Sequence, residues 1–418
     1  MTRTMLQRSL PLACVALLSF SGVAAGAQSS PYRDESPARQ GDWTRIVHAG
    51  FGDPALEIAA ARLVEFQGWL YAAGDHKTAG CQVWRSRDGD SWEVIVGPSA
   101  TTPAGFGNPQ NHSINELLVF DGHLYAGIWN DTQGAELWRS ADGVVWEPVV
   151  GGTSATPSGF GKLENSGITA LEGFRGELFA GTGSLYCKDG VELWKSRDGG
   201  KYWDAVAGNR FTLRIDLARE SKYLLDFAVF QDGFYVGTGD QRTGGSEIWR
   251  TLDGNVWRAV VGSPSPHRAG MGNLQEDMVY DLEAFRGHLY AAVMNFSRGG
   301  GALWRTADGT AWEVLAGDPP AAYPPGLGET ANFGFITFAA SPDVLYVSAV
   351  NEQGAQLWMT REGQAWSPLI GPGAQPTGGF GNPHNRAVNA LCVFHGRLYA
   401  GTQNPQDGGE LWRWEHQP

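Results

Sequence analysis

Leu124-Tyr125-Ala126-Gly127, followed ten residues on by Leu137-Trp138-Arg139-Ser140-Ala141-Asp142-Gly143-Val144-Val145-Trp146, is the stretch on which the fold can be read. The same phrase returns along the whole chain. Its first tryptophan falls at Trp84, Trp138, Trp194, Trp249, Trp304, Trp358 and Trp412, with gaps of 54 to 56 residues. A period of that length built from strand-like pieces is the signature of one supersecondary unit copied around a ring.

The unit resolves into four short strands. Ile114 to Phe120 is apolar-rich, and Asp121-Gly122 turns the chain into His123 to Trp129. A loop through Asp131, Gln133 and Gly134 leads to Glu136 to Ser140. Asp142-Gly143 then turns into Val145 to Val150. Four strands joined by tight turns and followed by a longer crossing loop describe a propeller blade. The crossing loops carry Gly105-Phe106-Gly107-Asn108-Pro109 and its variants at Gly50, Gly159, Gly270, Gly326 and Gly378.

The last repeat stops after three strands, at Trp412. The missing fourth strand matches Asp42-Trp43-Thr44-Arg45-Ile46-Val47 at the other end. The expectation is an all-β chain, a single seven-bladed β-propeller of four-stranded blades, closed by pairing the N-terminal strand with the C-terminal blade. Such closure removes exposed sheet edges. The 58 glycines and 17 tryptophans suit a turn-rich β protein.

Residues 1–27 read as a signal peptide. Arg3 and Arg8 give a basic start, Leu10 to Phe20 is largely apolar, and Ala25-Gly26-Ala27 is a small-residue cleavage site. Cys14 within the apolar run raises lipidation as a minor alternative. Residues 28–40 are expected to form a flexible leader and 41–418 the propeller. A secreted or periplasmic location follows, with no membrane span. Removing two arginines and no acid takes the formal charge from −13 to −15. That balance argues against nucleic acid, which needs a basic footprint. A disulfide between Cys81 and Cys187 would need two long loops to meet, so unpaired thiols are expected.

In blade three, Ser196-Arg197-Asp198-Gly199-Gly200-Lys201-Tyr202-Trp203 resembles the S-x-D-x-G-x-x-W Asp box of sialidases, some glucan-degrading propellers and sortilin-type receptors. Other blades carry a form one residue shorter, such as Ser86-Arg87-Asp88-Gly89-Asp90-Ser91-Trp92, and blade six has Glu362 in place of the Asp. The resemblance implies a propeller in which these turns are fold elements on the outside, away from any site. The sialidases of that group also need an arginine triad and a Tyr–Glu pair, and this chain does not match that pattern.

A feature present in every copy serves the fold, so a site is sought where the copies differ. Strand direction puts it at the channel mouth, among the crossing loops and the loops between second and third strands. Four residues before Phe66, Phe120, Phe174, Phe230, Phe285 and Phe394 stand Arg62, Glu116, Ala170, Asp226, Asp281 and Ala390, with Thr337 the blade-six equivalent. Charges near the axis are expensive unless paired or hydrated. Adjacent Asp226 and Asp281 suit a shared proton, acid–base work or a bound cation, with Ca²⁺ the candidate ion. Against this stands a plain water-filled polar channel.

The candidate catalytic set is Asp226, Asp281, Glu116, Tyr280 and His112. The candidate ligand-binding set is Arg62, Arg386, His76, Asn130, Asp240, Asn295 and Asp277, with Glu276 nearby. His76, Asn130, Ser184, Asp240, Asn295, Asn351 and Asn404 end the second strands. They suit either the capping of strand ends or the binding of sugar hydroxyls. His76, His112, His267 and His384 lack the spacing of a metal motif, so no metal site is expected. The ranked readings are a monomeric binding protein for a glycan, polar small molecule or protein ligand, then a glycan-acting hydrolase or lyase, then an envelope scaffold.

Overall fold

The computed structural model describes residues 31–58, 63–184, 191–206, 223–239, 245–263, 265–273, 275–296 and 299–415. Almost all regular structure is antiparallel sheet. Blade two shows the unit: Ser113–Phe120, His123–Trp129, Glu136–Ser140 and Glu147–Val150 pair in order as a meander. Blades one to seven span 64–96, 113–150, 167–205, 223–261, 278–316, 332–370 and 387–414. The strand Trp43–Val47 completes blade seven by pairing antiparallel with Leu411–Trp414.

Each pair of neighbouring blades buries its own apolar cluster. Phe66, Ile114 and Leu124 belong to the seam between blades one and two, and equivalent clusters fill the next five seams. Leu70, Ala72, Ala390 and Phe394 fill the seam between blades seven and one, which closes the ring. The core is thus distributed, with one layer per seam. The first strands of successive blades pack on one another, which makes them the innermost strands around the axis.

The crossing loop has a repeated job. Gly105 and Phe106 both take left-handed backbone conformations, with φ of 61° and 58°. Glycine adopts this freely, and the Phe is held there by its ring. Phe106 stacks on Trp138 at 4.8 Å and meets the edge of Trp146 at 5.5 Å. Phe51 on Trp84, Phe160 on Trp194 and Phe380 on Trp412 repeat the stack at 4.3–4.6 Å. The repeated Phe and Trp are therefore one packing device.

The Asp-Gly turns join third and fourth strands, at the opposite end of each blade from the crossing loops. Asp142 Oδ1 accepts from the backbone N–H of Val144 and Val145, both at 2.8 Å, and from Ser140 Oγ at 3.1 Å. The same bonds hold Asp253 and Asp308.

The leader differs from its expectation. Tyr32 exchanges backbone hydrogen bonds with Trp92 on the outer strand of blade one, and Arg39–Gln40 pairs with the strand that begins at Trp43. Arg45 anchors Asp34 at 3.0 Å. An outer strand offers unpaired backbone groups, and an adjacent extended segment satisfies them. Cys81 is buried and unbonded, while Cys187 lies outside the described residues. Among the described residues no helix is long and apolar enough to cross a membrane.

Candidate functional site

The axial acids are engaged in the fold. In blades two to seven the first strand carries a bulge just before the acid's position, as between Val279 and Asp281. One residue past that bulge, the Leu282 N–H donates at 2.7 Å to Asp226 Oδ2 of the preceding blade. The Phe338 N–H donates at 2.7 Å to Asp281 Oδ2 in the same way. Asp226 and Asp281 are successive rungs of one inter-blade ladder, each with one oxygen on a backbone N–H of the next blade. Thr169 Oγ1 to Leu224 O at 2.7 Å and Thr337 Oγ1 to Asn389 O at 3.1 Å tie other seams. Glu116 is buried at the matching place in blade two. Asp75, not singled out in the sequence, accepts from the Ile114 N–H at 3.1 Å across the first seam.

The expected polar ring is also committed. Asn130 Oδ1 accepts from the Thr132 and Gln133 N–H groups at 3.1 and 2.8 Å, and its amide donates to Asn111 Oδ1. Asn351 and Asn404 repeat that pattern. His76 Nδ1 accepts from the Ala79 N–H at 2.9 Å, and Nε2 lies 3.3 Å from Asp53. Asn295 and Asp277 are buried, and Asp277 Oδ2 accepts from the Phe296 N–H at 2.9 Å. These side chains close loops, as strand-end caps do. Arg62 and Asp240 lie outside the described residues.

Two polar candidates remain at the mouth. His112 Nε2 lies 3.2 Å from Asp131, whose other oxygen accepts from Trp129 Nε1 at 2.7 Å. The His112 contact, with Trp129 adding to it, holds the Asp131 carboxyl below its ordinary range. The Arg386 side chain is exposed and makes no ion pair among the described residues. Among those residues no three His, Cys, Asp or Glu side chains gather as a metal-binding group.

An apolar mouth is not visible in the strand pattern of the chain. Tyr223, Met278, Met294 and Ile336 are buried together at the axial ends of blades four to six, with Ala387 of blade seven. Trp129, Leu225, Tyr280, Phe296, Phe333 and Val350 are partly exposed over them. Trp129 and Tyr223 rings lie 6.2 Å apart, and Phe296 and Phe333 rings 6.3 Å apart. Burial pushes the Tyr280 hydroxyl up to about 12.

This cluster is built from bulky residues set opposite glycines at the points where neighbouring blades pair: Trp129 with Gly167, Tyr223 with Gly183, Met278 with Gly239, Met294 with Gly334. A Cβ on Gly167 would stand 2.2 Å from the Trp129 ring, and one on Gly334 would stand 2.7 Å from Met294 Cγ. Glycine at these places is what lets large side chains lie over the backbone. Alternation of small residues along the strands hid the cluster, because its members are far apart in sequence.

A second feature is a cavity of about 240 Å³ at blade five, among Asn273, Glu276, Asn295, Gly317, Asp318 and Thr330. Glu276 is 4 % exposed and its Oε2 has no hydrogen-bond partner. Burial, with Asp318 and Asp277 adding repulsion, pushes its carboxyl up to about 8 against the pull of Trp304 and Asn273.

No family model matches the chain, and no curated protein matches its sequence. Among solved structures, the chain is similar to the WD40 β-propeller domain of Doa1, with a TM-score of 0.50 at 11 % identity over 90 % of this chain and 97 % of that one. It also aligns with a Trypanosoma rangeli sialidase in complex with sialic acid (TM-score 0.43, 14 % identity), over 93 % of this chain and 59 % of the sialidase. A prolyl endopeptidase structure aligns at a TM-score of 0.46 and 8 % identity, over 84 % of this chain and 49 % of the other. What the likeness establishes is the fold: this chain is a β-propeller.

Proposed function

We propose that this protein is a secreted β-propeller binding protein that receives an apolar or aromatic group of its ligand at the channel mouth. The observation that carries this reading is the cluster in which Trp129, Tyr223, Met278 and Met294, each opposite a glycine, are joined by Tyr280 and Phe333. Seam packing does not require it, since each seam already has its own core. Methionine and aromatic side chains together make a surface that adapts to varied apolar shapes.

The mouth is two-sided. Blades four to six and Trp129 of blade two supply the apolar half, while His112, Asp131 and Arg386 supply a polar half from blades two and seven. A ligand with one apolar face and one acidic or hydroxylated face suits that division. A sugar stacked on an aromatic ring is one such ligand, which keeps a glycan within the class. The hydrolase reading loses its main support, because Asp226 and Asp281 each commit an oxygen to a neighbour's backbone N–H. Binding on a propeller face without turnover also agrees with a fold that does not itself dictate chemistry.

The test is equilibrium binding of the processed protein to a library of oligosaccharides and of short peptides with one aromatic residue. The expected ligand loses at least tenfold in affinity with Tyr280→Ala or Phe333→Ala and is unaffected by Asp281→Asn. Binding indifferent to both mouth variants, or conversion of ligand to a product that needs Asp281, overturns the reading.

A further inference from the structure

The blade-five cavity is a place where the repeat breaks its own rule. In blades two, three, six and seven, an asparagine of the crossing loop donates an N–H to an acid or amide on the third strand, while blade one has Leu56 at that loop position. Asn111 Nδ2 reaches Glu136 Oε2 at 2.8 Å, Asn165 reaches Glu192 at 2.8 Å, Asn332 reaches Gln356 at 2.7 Å and Asn385 reaches Glu410 at 2.7 Å. The same third-strand group accepts from the tryptophan two residues later, as Glu136 does from Trp138 at 2.9 Å.

Blade five inverts the pair. Glu276 stands on the loop where blades two, three, six and seven have asparagine, and Ala302 stands on the strand where those blades have Glu or Gln. The carboxylate fills the same place from the other side. A Cβ on Gly151 would stand 2.6 Å from Glu136 Cγ, and one on the equivalent Gly317 would lie 3.9 Å from Glu276 Oε1 and 3.8 Å from the Ala302 methyl. The acid has been kept and the asparagine at its own loop position lost, and the amide of nearby Asn273 donates instead to Asp318 Oδ2 at 3.1 Å. No hydrogen-bond partner lies within 3.5 Å of either Glu276 Oε2 or Trp304 Nε1, although Trp304 and Asn273 are near enough to the carboxyl to favour its charged form. The space vacated is the cavity of about 240 Å³, and Asp318 adds a second carboxylate to its wall.

We propose that this cavity is a binding site for a primary ammonium group, whose N–H donors replace the missing asparagine amide beside Glu276. The charge argument selects a cation, since two acids line a small and partly enclosed space. The size argument selects an organic ammonium over a bare metal ion. The cavity holds an –NH₃⁺ with a short alkyl stem, and no three metal-ligating side chains gather among the described residues. An ammonium offers three donors, and Glu276, Asp318 and the oxygens of Asn295 or Thr330 offer acceptors. The amine is either a free small molecule or the end of a lysine side chain. The site is separate from the apolar mouth and does not depend on it.

The test uses the whole chain and calorimetric titration with n-butylammonium, Nα-acetyl-lysine amide, tetramethylammonium and CaCl₂. At pH 8.5, where alkylamines remain protonated, n-butylammonium should bind saturably and tetramethylammonium, which has no N–H, should not. Tighter binding of the lysine amide than of butylammonium assigns the site to peptides, and equal binding assigns it to free amines. Glu276→Gln should lose at least tenfold in affinity while the folded protein is retained, and Asp318→Asn should lose less. Affinity should rise between pH 6.5 and 8.5 as Glu276, faced by Asp318, Asp277, Asn273 and Trp304, ionises. No saturable ammonium binding to the wild type, equal binding to Glu276→Gln, or binding of calcium in preference to ammonium overturns the assignment.

Discussion

Asp226 in blade four accepts a 2.7 Å hydrogen bond from the backbone N–H of Leu282 in blade five. The bond crosses a seam that is otherwise apolar, and Leu282 is itself buried in that seam's core. A buried amide left unpaired is expensive, and a carboxylate acceptor is the stronger kind of partner. The same bond recurs one blade on, from Phe338 to Asp281. The acids around the axis therefore work as cross-braces between sheets.

Replacing Asp281 with Ala should destabilise the protein by about 2–3 kcal/mol, because the Phe338 N–H loses its partner in a dry seam. Asp281→Asn keeps an acceptor oxygen and should lose about half as much. Denaturant unfolding of both variants checks this. A variant with wild-type stability and lost ligand turnover would return Asp281 to a catalytic role.

Two buried acids give the fold an inverted pH response. Burial pushes Asp75 up to about 7, and burial with Asp318 pushes Glu276 up to about 8. Both are above the unfolded values, so the folded state holds protons that the unfolded state has released. The stability they leave intact below about pH 4 falls as pH rises toward 7 and 8. Glu276→Gln should therefore be stabilising by up to about 4 kcal/mol at pH 9 and neutral at pH 4. Unfolding midpoints of wild type and variant across pH 4–9 decide it. A constant difference across that range would contradict the assignment.

The Asp-Gly turns respond in the opposite sense. Hydrogen bonds from Ala311 and Thr310 hold the Asp308 carboxyl down to about 2. Its stabilising effect is present above the unfolded carboxylate value and is lost as pH falls toward 2. Asp308→Ala should cost about 1 kcal/mol at pH 7, in line with loss of a capping side chain. The deficit should shrink in acid, and it should leave ligand binding unchanged because the turn lies at the far end of the blade.

Gly167→Ala should be disproportionately harmful for one methyl group. The new Cβ would stand 2.2 Å from the Trp129 ring, so the ring must leave the mouth. A loss of about 1–3 kcal/mol is expected from overpacking. A changed tryptophan emission and weakened ligand binding should accompany it.

Much of the architecture was legible because the repeat forces it. Trp84 through Trp412 recur at a fixed spacing, and Ile114 to Phe120 reads as a strand from local pattern alone. The four strands expected in blade two match those found to within two residues at each end. The terminal match of Asp42 to Val47 with a missing fourth strand likewise needs only sequence comparison, and the strand pairs there. The leader was less legible, since nothing local in Tyr32 reveals that the outer edge of blade one lies beside it.

The candidate site was read in outline and not in detail. Aligning the blades picked out Asp226 and Asp281 as departures from alanine, because a charge near the axis is visible one residue at a time. Their partners are backbone N–H groups more than fifty residues away, exposed by bulges that no side-chain pattern announces. Asn130 was likewise found by position, while its bond to Asn111 depends on how two loops meet. The apolar mouth gathers Trp129, Tyr223, Tyr280, Met294 and Phe333 from four blades, and only the meeting of neighbouring blades sets Trp129, Tyr223 and Met294 opposite glycines. Sequence alone determined the repeat, the strand order and the ring, because periodicity and turn chemistry act over a few residues. Tertiary structure decided which polar groups are already satisfied and which surface is left to meet a ligand, because that depends on distances across seams that the chain closes only once.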